Sequence, residues 1–382
     1  MAAHLFPILH VSTVAFSRKP STNERKMIAY ARLHGQRLSS GRLRKPEEVV
    51  SWLGAVQAQD YVGAKWALAM RMERGTDAAV ERAFAAGTIL RTHVMRPTWH
   101  FVTPADIRWM LGLTAPRVRA AVAYYERRLE IDPRLIRRSN KVIAAALADS
   151  GYLTRQELRV RLRKAGIAAD GVQRLAHLMM HAELAGVICS GPVRGKQFTY
   201  ALLEERIPQS PTLSRDAALA ELTRRYFTSH GPAQVQDFVW WSGLTTAEAR
   251  AGLEMVGRDL DHEVMDSKTY WFSRSRRRPV RPAARTAYLL PPYDEYLIGY
   301  KDRSAALDLS LWKSVVDRDP FTAPIVLDGQ VVGGWKRTIT RQNVTVVVKL
   351  PTSFARTDSR LVTRAAHAFG AFLDLPVMIA RM

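Results

Sequence analysis

Two glutamines separated by one residue form the most suggestive polar pair in this sequence. Gln57 and Gln59 flank the small apolar Ala58, and Asp60 follows directly. A glutamine amide offers one acceptor oxygen and two N–H donors, so two converging amides can hold a water molecule or the edge of a base. The spacing therefore marks this segment as a candidate polar site.

The local structure decides whether these two amides can act together. The sequence predicts a helix over Pro46–Gln57, and on an ideal helix residues two apart point about 200° away from each other. The amides converge only if that helix ends or is distorted here, which Gly54 and Gly63 on either side make easy. The alternative is a pair of helix-end glutamines that face solvent, as most glutamines do.

Charge is the second strong signal. The chain has 382 residues, and its 57 Lys and Arg against 35 Asp and Glu give a net charge of +22. This length predicts roughly two to four domains. The basic residues are mostly arginines spread along the chain, which favours a broad surface for a polyanion such as nucleic acid. The alternative is a basic protein without a nucleic-acid partner.

Cysteine and histidine usage argues against other kinds of site. Cys189 is the only cysteine, so neither an intrachain disulfide nor a cysteine-based zinc site can form, and a reducing, cytoplasmic compartment is expected. His177 and His181 lie four residues apart on a predicted helix, but no HExxH motif or carboxylate partner accompanies them. We therefore expect no metal and no cofactor.

The N-terminus is expected to be a flexible extension over residues 1–26. Its positive charge follows the apolar part and no small-residue cleavage site is present, so it does not match a signal peptide. Met27 is the alternative start. No apolar run approaches the roughly 18 residues that a membrane span needs, so no membrane association is expected.

Residues 27–135 are predicted to form the first domain. Apolar residues recur at helical spacing over Met27–Leu38, and Thr76 caps a short helix that ends at Gly87. The basic and aromatic segment Ile89–Pro104 alternates, which predicts two short strands. Helices followed by a strand pair are typical of a winged helix, in which a β-hairpin is appended to a helix-turn-helix.

The same order of elements recurs twice more along the chain. Residues 136–207 carry helical patterns followed by a strand, turn and strand over Gly186–Leu202, and residues 208–285 repeat this before a basic strip at Ser273–Arg285. This recurrence predicts three tandem winged helices.

The sequence pattern changes from mostly helical to mostly β-rich over residues 286–382. Short β-rich runs surround an Asp328-Gly329 turn, a helix is predicted over Arg360–Leu373, and Leu375–Ile379 is expected to return as an edge strand. Such a pattern is typical of a small barrel. The predicted fold is therefore α+β, with three tandem winged-helix units and a small C-terminal β-barrel.

Three segments of the chain resemble one family. VQAQDYVGAKWAL, TILRTHVMRPTWHFV and LLPPYDEYLIGYKDRS are similar to segments of bacterial winged-helix DNA glycosylases of the AlkZ and YcaQ type. The resemblance runs from about Met27 to the end of the chain. It implies three winged helices and a β-barrel that form a concave surface around duplex DNA. It also implies excision of N-alkylated purines, including bulky adducts and interstrand crosslinks.

The resemblance carries over to particular residues. It implies Gln57 and Gln59 as the catalytic pair, and Met95–His100 (MRPTWH) matches the family's hairpin. Some relatives carry aspartate in place of the second glutamine, so its presence here favours the first subtype. Tyr293, Asp294 and Glu295 match a barrel signature to which the sequence assigns no function.

A neutral amide pair suits only certain substrates. Glutamine cannot accept a proton near neutral pH, so it cannot replace the usual carboxylate base. An N7- or N3-alkylated purine is already cationic and leaves readily, so the enzyme needs only to place a water and stabilise the positive sugar. Asp60 can supply that stabilisation, or act as a base if it shares the glutamines' face. The alternative is a helix-end aspartate that faces solvent.

DNA contacts are expected from basic and aromatic side chains of the hairpin, the basic strip and the barrel. An arginine can enter a minor groove and a tryptophan can wedge at a base step. Alternatively, Trp99 and Phe101 belong to the core and only the arginines contact DNA. The expected DNA-binding residues are Arg91, His93, Arg96, Trp99, His100, Arg276, Arg277, Arg278, Lys336 and Arg337.

Two functions compete on these grounds. The first is a monofunctional DNA glycosylase that acts on alkylated purines in double-stranded DNA, as a monomer in the cytoplasm at the nucleoid. The alternative is a non-catalytic winged-helix DNA-binding protein or transcriptional regulator. A regulator binds one sequence tightly, usually as a two-fold dimer, whereas a repair enzyme binds without sequence preference and with a steep salt dependence.

Overall fold

The N-terminal helix begins earlier than the sequence suggested. The computed structural model describes residues 22–207, 212–275, 284–310, 312, 322–351 and 354–381. Helix α1 spans Thr22–Gly35, with the acidic Glu24 in its first turn, where the helix dipole favours negative charge. The last residues of the expected extension 1–26 are therefore helical, and residues 1–21 lie outside the described part.

The first unit contains the glutamine segment. Its elements are α2 (Pro46–Leu53), β1 (Val56–Gln57), α3 (Tyr61–Met70), α4 (Asp77–Ala86), β2 (Leu90–His93) and β3 (Trp99–Val102). The helix expected over 46–57 stops at Leu53, because Gly54 takes up φ +84°, in the left-handed region that favours glycine. The chain then continues as a strand, so the helix ends before it reaches Gln57.

A long helix that was not predicted follows the first unit. Helix α5 (Pro104–Arg128) begins with a proline in its first turn, where a missing N–H costs nothing. Its buried residues include Ile107 and Met110, which share one apolar core with Leu90 of the first unit and Trp241 of the third. Helix α5 thus packs between units that lie far apart in sequence.

The second and third units repeat the order of the first. The second contains α6 (Pro133–Ser150), β4 (Leu153–Thr154), α7 (Arg155–Lys164), α8 (Val172–Leu184), β5 (Ile188–Ser190), β6 (Thr199–Leu202) and the short α9 (Leu203–Arg206). The third contains α10 (Arg215–Ser229), α11 (Val235–Ser242), α12 (Thr246–Val256), β7 (Leu260–Met265) and β8 (Lys268–Ser273). Thr154 caps α7 and Thr245 caps α12, since each hydroxyl accepts an N–H three residues on.

The sheets of these units share one topology. The strand order is β1-β3-β2 in the first unit and β4-β6-β5 in the second. In the third unit β7 pairs with β8, and an isolated bridge between Ala233 and Trp271 takes the place of the missing first strand. The order of elements and the strand pairing therefore recur together.

The C-terminal part is an open sheet covered by a helix. Its elements are β9 (Ala287–Leu289), α13 (Glu295–Ile298), β10 (Ala323–Leu327), β11 (Gln330–Ile339), β12 (Val344–Lys349), α14 (Arg356–Leu373) and β13 (Val377–Arg381). The strand order is β13-β12-β11-β10-β9. Asp328 and Gly329 both have positive φ between β10 and β11, as a two-residue hairpin turn requires.

The expected closed barrel is not what the described strands form. Strands β9 and β13 are the two edges of the sheet, and β13 pairs only with β12, in parallel. A parallel neighbour needs a crossover, which α14 provides across one face. That face also packs against the N-terminal part, because Tyr30 and Trp66 share a core with Leu289 and Phe369. None of the described helices is both long and apolar enough to cross a membrane.

Two helical glycines differ sharply in the space around them. A methyl group on Gly370 of α14 would meet the carbonyl oxygen of Leu375 at 2.8 Å and overlap Val377, whereas nothing lies within 4 Å of one on Gly112 of α5. We expect Gly370→Ala to lower the free energy of unfolding by about 1–3 kcal/mol through overpacking. Gly112→Ala should raise it by about 0.5–1 kcal/mol, because glycine is a poor helix former. Thermal unfolding checks both, and shifts in the same direction would contradict this packing.

Candidate active site

Strand β1 brings the two glutamines to one side of the chain. Val56 and Gln57 pair with Phe101 and His100 of β3, and the N–H of Ala58 donates to the carbonyl of Trp99 at 2.7 Å. Side chains alternate along an extended chain. Ala58 is accordingly buried in the core, while Gln57 and Gln59 share the opposite side. The pair thus lies at the end of a strand and not at a distorted helix end.

The two amides are adjacent but differ in exposure. Gln57 is 6% exposed, whereas Gln59 is exposed to solvent. The Oε1 atom of Gln57 accepts the main-chain N–H of Gln59 at 3.2 Å. Within the described part of the chain, neither Nε2 of Gln57 nor the side-chain amide of Gln59 has a hydrogen-bond partner. Both amides therefore keep donors for a water molecule or a base.

A cleft of about 520 Å³ opens beside Gln59. It lies between the start of α3 and the C-terminal sheet. Its lining residues are Gln59, Asp60, Pro292, Tyr293, Ala323, Trp335, Lys336 and Arg337. Polar side chains from the first unit thus face an aromatic and basic wall from the C-terminal part.

Asp60 is a fixed charge in this cleft and not a solvent-facing helix end. Its carboxylate caps α3 by accepting the N–H of Gly63 at 3.1 Å. It also binds Nη2 of Arg337, with oxygens at 2.6 and 2.7 Å. Arg337, expected to contact phosphate, is therefore paired with Asp60, while Lys336 lines the same cleft.

The buried carboxylate of Glu295 fixes the main chain at Gln57. Its Oε1 atom accepts the Gln57 N–H at 3.0 Å, and its Oε2 atom accepts Nε1–H of Trp241 at 2.9 Å. Nε2 of His230 lies 3.6 Å from Oε2. Burial alone would raise the pKa of Glu295, but His230, Arg96 and the Gln57 N–H favour the charged form and lower it.

Its neighbour Asp294 forms a second buried ion pair. Both carboxylate oxygens of Asp294 bind Arg71, at 2.8 and 2.9 Å, and neither side chain is exposed. Arg71 also donates to the main-chain and side-chain oxygens of Gln36. The guanidinium is thus fully paired, as a buried charge requires. Asp294 and Glu295 hold the sheet domain against the first and third units.

The hairpin histidines are inside the protein, which corrects their expected contact with DNA. His100 is fully buried, and burial together with the charge of Arg96 lowers its pKa to about 3. A neutral, buried imidazole offers no charge to a phosphate. His93 is 6% exposed, and its Nδ1 contacts the carboxylate of Glu183 on α8. Both histidines pack the hairpin against its neighbours.

Arg91 is also buried, and it supports the glutamine segment from behind. It is 8% exposed, and its Nε donates to the carbonyl of Ala58 at 3.0 Å. Its guanidinium lies over the ring of Trp99, 4.3 Å from the ring centre. The expected DNA contact of Arg91 is thus replaced, in this structure, by contacts within the protein.

Among the hairpin residues that were expected to bind DNA, Arg96 and Trp99 stay partly exposed. Phe101 is fully buried, so the alternative that placed both aromatics in the core holds for Phe101 and only partly for Trp99. Burial lowers the pKa of Arg96, although Glu295 opposes this. The basic strip residues Arg276, Arg277 and Arg278 lie outside the described residues.

Metal ligands do not cluster in the described part of the chain, where no group of three or more suitable side chains was found. His177 and His181 do have a carboxylate neighbour that the sequence did not reveal. Glu126 of α5 lies 2.5 Å from Nε2 of His181 and 3.5 Å from Nδ1 of His177. These contacts join α8 to α5.

Sequence comparison agrees with this architecture. The family model of the AlkZ-like DNA glycosylases matches residues 50–372, which include the glutamines, the hairpin and strands β9 to β12 of the C-terminal sheet. The chain belongs to the AlkZ-like DNA glycosylase family.

Both comparisons lead to AlkZ of Streptomyces sahachiroi. An interstrand DNA cross-link repair glycosylase is 26% identical over 302 residues, which cover 76% of this chain and 81% of the relative. The solved structure of DNA glycosylase AlkZ matches with a TM-score of 0.76 and 23% identity, covering 93% of this chain and 99% of that one. The structural similarity establishes a shared fold of mixed helices and sheets.

Several residues that shape the AlkZ-like site were missed in the sequence. Arg71, His230 and Trp241 lie far from the glutamines along the chain, and no spacing rule connects them. Asp294 and Glu295 were noticed only through the family resemblance. The signal that could have found them is their composition, because adjacent carboxylates within an apolar segment need buried partners.

Burial of His100 predicts a pH-dependent stability. Its pKa is lowered to about 3 in the folded protein, against about 6.5 when unfolded. Only the unfolded chain binds a proton here between these values, so the free energy of unfolding should fall as pH drops from about 6.5 to about 3. His100→Asn should reduce this slope in urea unfolding. The control His367→Asn, at an exposed position, should keep the slope, and equal slopes for all three proteins would contradict the prediction.

Replacing Glu295 tests the carboxylate that positions Gln57. In Glu295→Gln one oxygen becomes an NH₂ group that must face the N–H of either Gln57 or Trp241. We expect the free energy of unfolding to fall by about 1–3 kcal/mol, since a buried donor loses its acceptor. Chemical denaturation measures this. The exposed Glu254 on α12 provides the matched control, because Glu254→Gln should change stability by less than about 0.5 kcal/mol. An unchanged Glu295→Gln protein would contradict this arrangement.

Proposed function

We propose that this protein is a monofunctional DNA glycosylase that hydrolyses the N-glycosidic bond of N-alkylated purines in duplex DNA. The observation that carries the proposal is the pair Gln57 and Gln59 on one side of β1, beside a cleft that holds the Asp60 carboxylate. Membership in the AlkZ-like DNA glycosylase family supports the reaction. The Streptomyces relative described as an interstrand DNA cross-link repair glycosylase supports crosslinks as further substrates.

The reaction needs no general acid to protonate the leaving base, because the alkylated purine is already cationic. The bond between the sugar C1′ and the base nitrogen breaks, and its electron pair neutralises the cationic purine. A water oxygen bonds to C1′, and its proton passes to solvent or to the carboxylate of Asp60. The amides of Gln57 and Gln59 hold and orient that water, which lowers the entropic barrier.

Asp60 contributes electrostatic stabilisation as positive charge develops on the sugar. Fixed charges are effective when they are held in place before the reaction. The cap to Gly63 and the ion pair with Arg337 hold Asp60 in this way. Because Arg337 already compensates part of this charge, water placement by the glutamines carries the greater share.

The repeated units supply the DNA-binding surface. We infer that they are three tandem winged helices and that the C-terminal sheet is an opened form of the expected barrel. The net charge of +22 favours phosphate contacts without sequence preference. Of the residues expected to bind DNA, Arg96, Trp99 and Lys336 remain our proposed DNA contacts near the site. We propose a monomer that acts on double-stranded DNA in the cytoplasm, at the nucleoid, without metal or cofactor.

Removing either amide should separate catalysis from binding. We expect Gln57→Ala and Gln59→Ala to lower the single-turnover rate of 7-methylguanine release at least about a hundredfold, because the water loses its orientation. DNA affinity should stay within about threefold, since phosphate contacts dominate it. Chromatographic detection of the released base and fluorescence anisotropy measure the two quantities.

The matched control is Gln342→Ala, at an exposed turn between β11 and β12. It should leave both rate and affinity unchanged. If the unsubstituted protein releases no base from alkylated DNA, the glycosylase proposal fails. The alternative function, a non-catalytic winged-helix DNA-binding protein, then remains.

A further inference from the structure

A second cavity adjoins the glutamine segment and shares no lining residue with the first cleft. Its volume is about 570 Å³, and its walls come from the hairpin of the first unit and from α7, α8 and the β5–β6 loop of the second. Arg91 links it to the active site, because this residue lines the cavity and also donates to the carbonyl of Ala58. A ligand bound here would therefore contact the residue that supports the glutamine segment from behind.

The walls of this cavity attract anions. Its cationic lining residues are Arg91, Arg155, Arg159 and Lys196, and its lining contains neither Asp nor Glu. The N-terminus of α8 also reaches the cavity at Gly171, which provides no side-chain cap. Uncapped N–H groups at a helix start add to the positive potential.

Two of these arginines have donors that the described protein does not use. Arg155 and Arg159 lie one turn apart on α7, so they share a face. The Nε atoms of both are buried and have no hydrogen-bond partner among the described residues. Among the described residues, Arg155 donates one weak hydrogen bond, from Nη2 to the carbonyl of Val172 at 3.5 Å. Both guanidinium groups are thus available to a phosphate, which an arginine binds through two parallel hydrogen bonds.

Aromatic rings form the remaining wall. Trp99 and Phe198 line the cavity on either side of the Arg91 guanidinium, whose carbon lies 4.3 and 4.7 Å from their ring centres. Trp99 is half-buried, with Arg91 over its ring and the centre of the His93 ring 4.6 Å from its own, so a base would meet the part of the ring that these two residues leave exposed. Flat aromatic faces bind nucleobases by stacking, with little regard to sequence.

We propose that this cavity is a second nucleotide site, which holds a DNA nucleotide displaced from the base stack. The base stacks on Trp99 and the phosphate binds between Arg155 and Arg159. A volume of about 570 Å³ falls within the range of small-molecule pockets. The identity of the ligand as DNA rests on the proposed function. A nucleotide held here keeps the duplex open beside Gln57 and Gln59.

The test compares duplexes of one sequence that differ at a single position. One duplex is fully paired, one carries an unpaired nucleotide, and one carries an unpaired abasic nucleotide. Fluorescence anisotropy should show the unpaired nucleotide bound about tenfold more tightly than the paired duplex, since stacking of one base is worth roughly fivefold to 150-fold in affinity. The abasic duplex should lose most of this preference, which separates base stacking from phosphate binding alone.

The double variant Arg155→Gln/Arg159→Gln should bind paired and unpaired duplexes equally. Its control, Arg161→Gln/Lys164→Gln, removes the same charge from the opposite face of α7 and should keep the tenfold difference. The site is overturned if the unsubstituted protein shows no preference, or if the control loses it as well. Release of 7-methylguanine by the same proteins tests the glycosylase separately, so a retained preference without release supports the site and rejects only the enzyme.

Discussion

The structure depends on two adjacent buried carboxylates, Asp294 and Glu295, at the start of α13. Each is excluded from water, and a buried charge is tolerated only when it is paired and hydrogen-bonded. Asp294 meets this need with Arg71 of the first unit, and Glu295 with Gln57 of the first unit and Trp241 of the third. The same two residues therefore tie the C-terminal sheet to parts of the chain more than 50 residues away.

This constraint explains why the candidate active site has a defined geometry. Strand β1 has only two residues, too few to hold its own position. Pairing with His100 on one side and the hydrogen bond from Gln57 to Glu295 on the other fix it from two directions. Gln59 then lines a cleft whose far wall belongs to the C-terminal part, and the buried Gln57 precedes it by two residues. The placement of these glutamines is thus a property of the packed units and not of the strand alone.

The chain also uses its basic residues in two different ways. Arg71 and Arg91 are buried and hold the backbone of the site in place, whereas Arg155 and Arg159 keep donors directed at a cavity. Net charge alone does not distinguish these groups. Pairing does, because the donors of Arg71 are all used inside the protein, whereas the Nε atoms of Arg155 and Arg159 have no partner among the described residues.

Local chemistry made much of the fold predictable. The cap at Thr76 and the turn at Asp328-Gly329 were predicted correctly, since each depends on neighbouring residues only. The predictions failed where distant contacts decide. The helix expected up to Gln57 ends at Leu53, and Val56 and Gln57 form a strand because β3 supplies a pairing partner. In the hairpin, the alternating pattern did not reveal that His93 and His100 are buried.

The sequence by itself determined the repeated order of helices and hairpins, the basic character of the chain and the pair of glutamines that the family resemblance connects with base excision. These follow from periodicity, composition and a short motif, all of which act over a few residues. Only the tertiary structure decided which face of the hairpin is buried, that the C-terminal sheet stays open in the described residues, and that Glu295 fixes Gln57. The reason is that burial and charge pairing depend on partners brought together from distant parts of the chain.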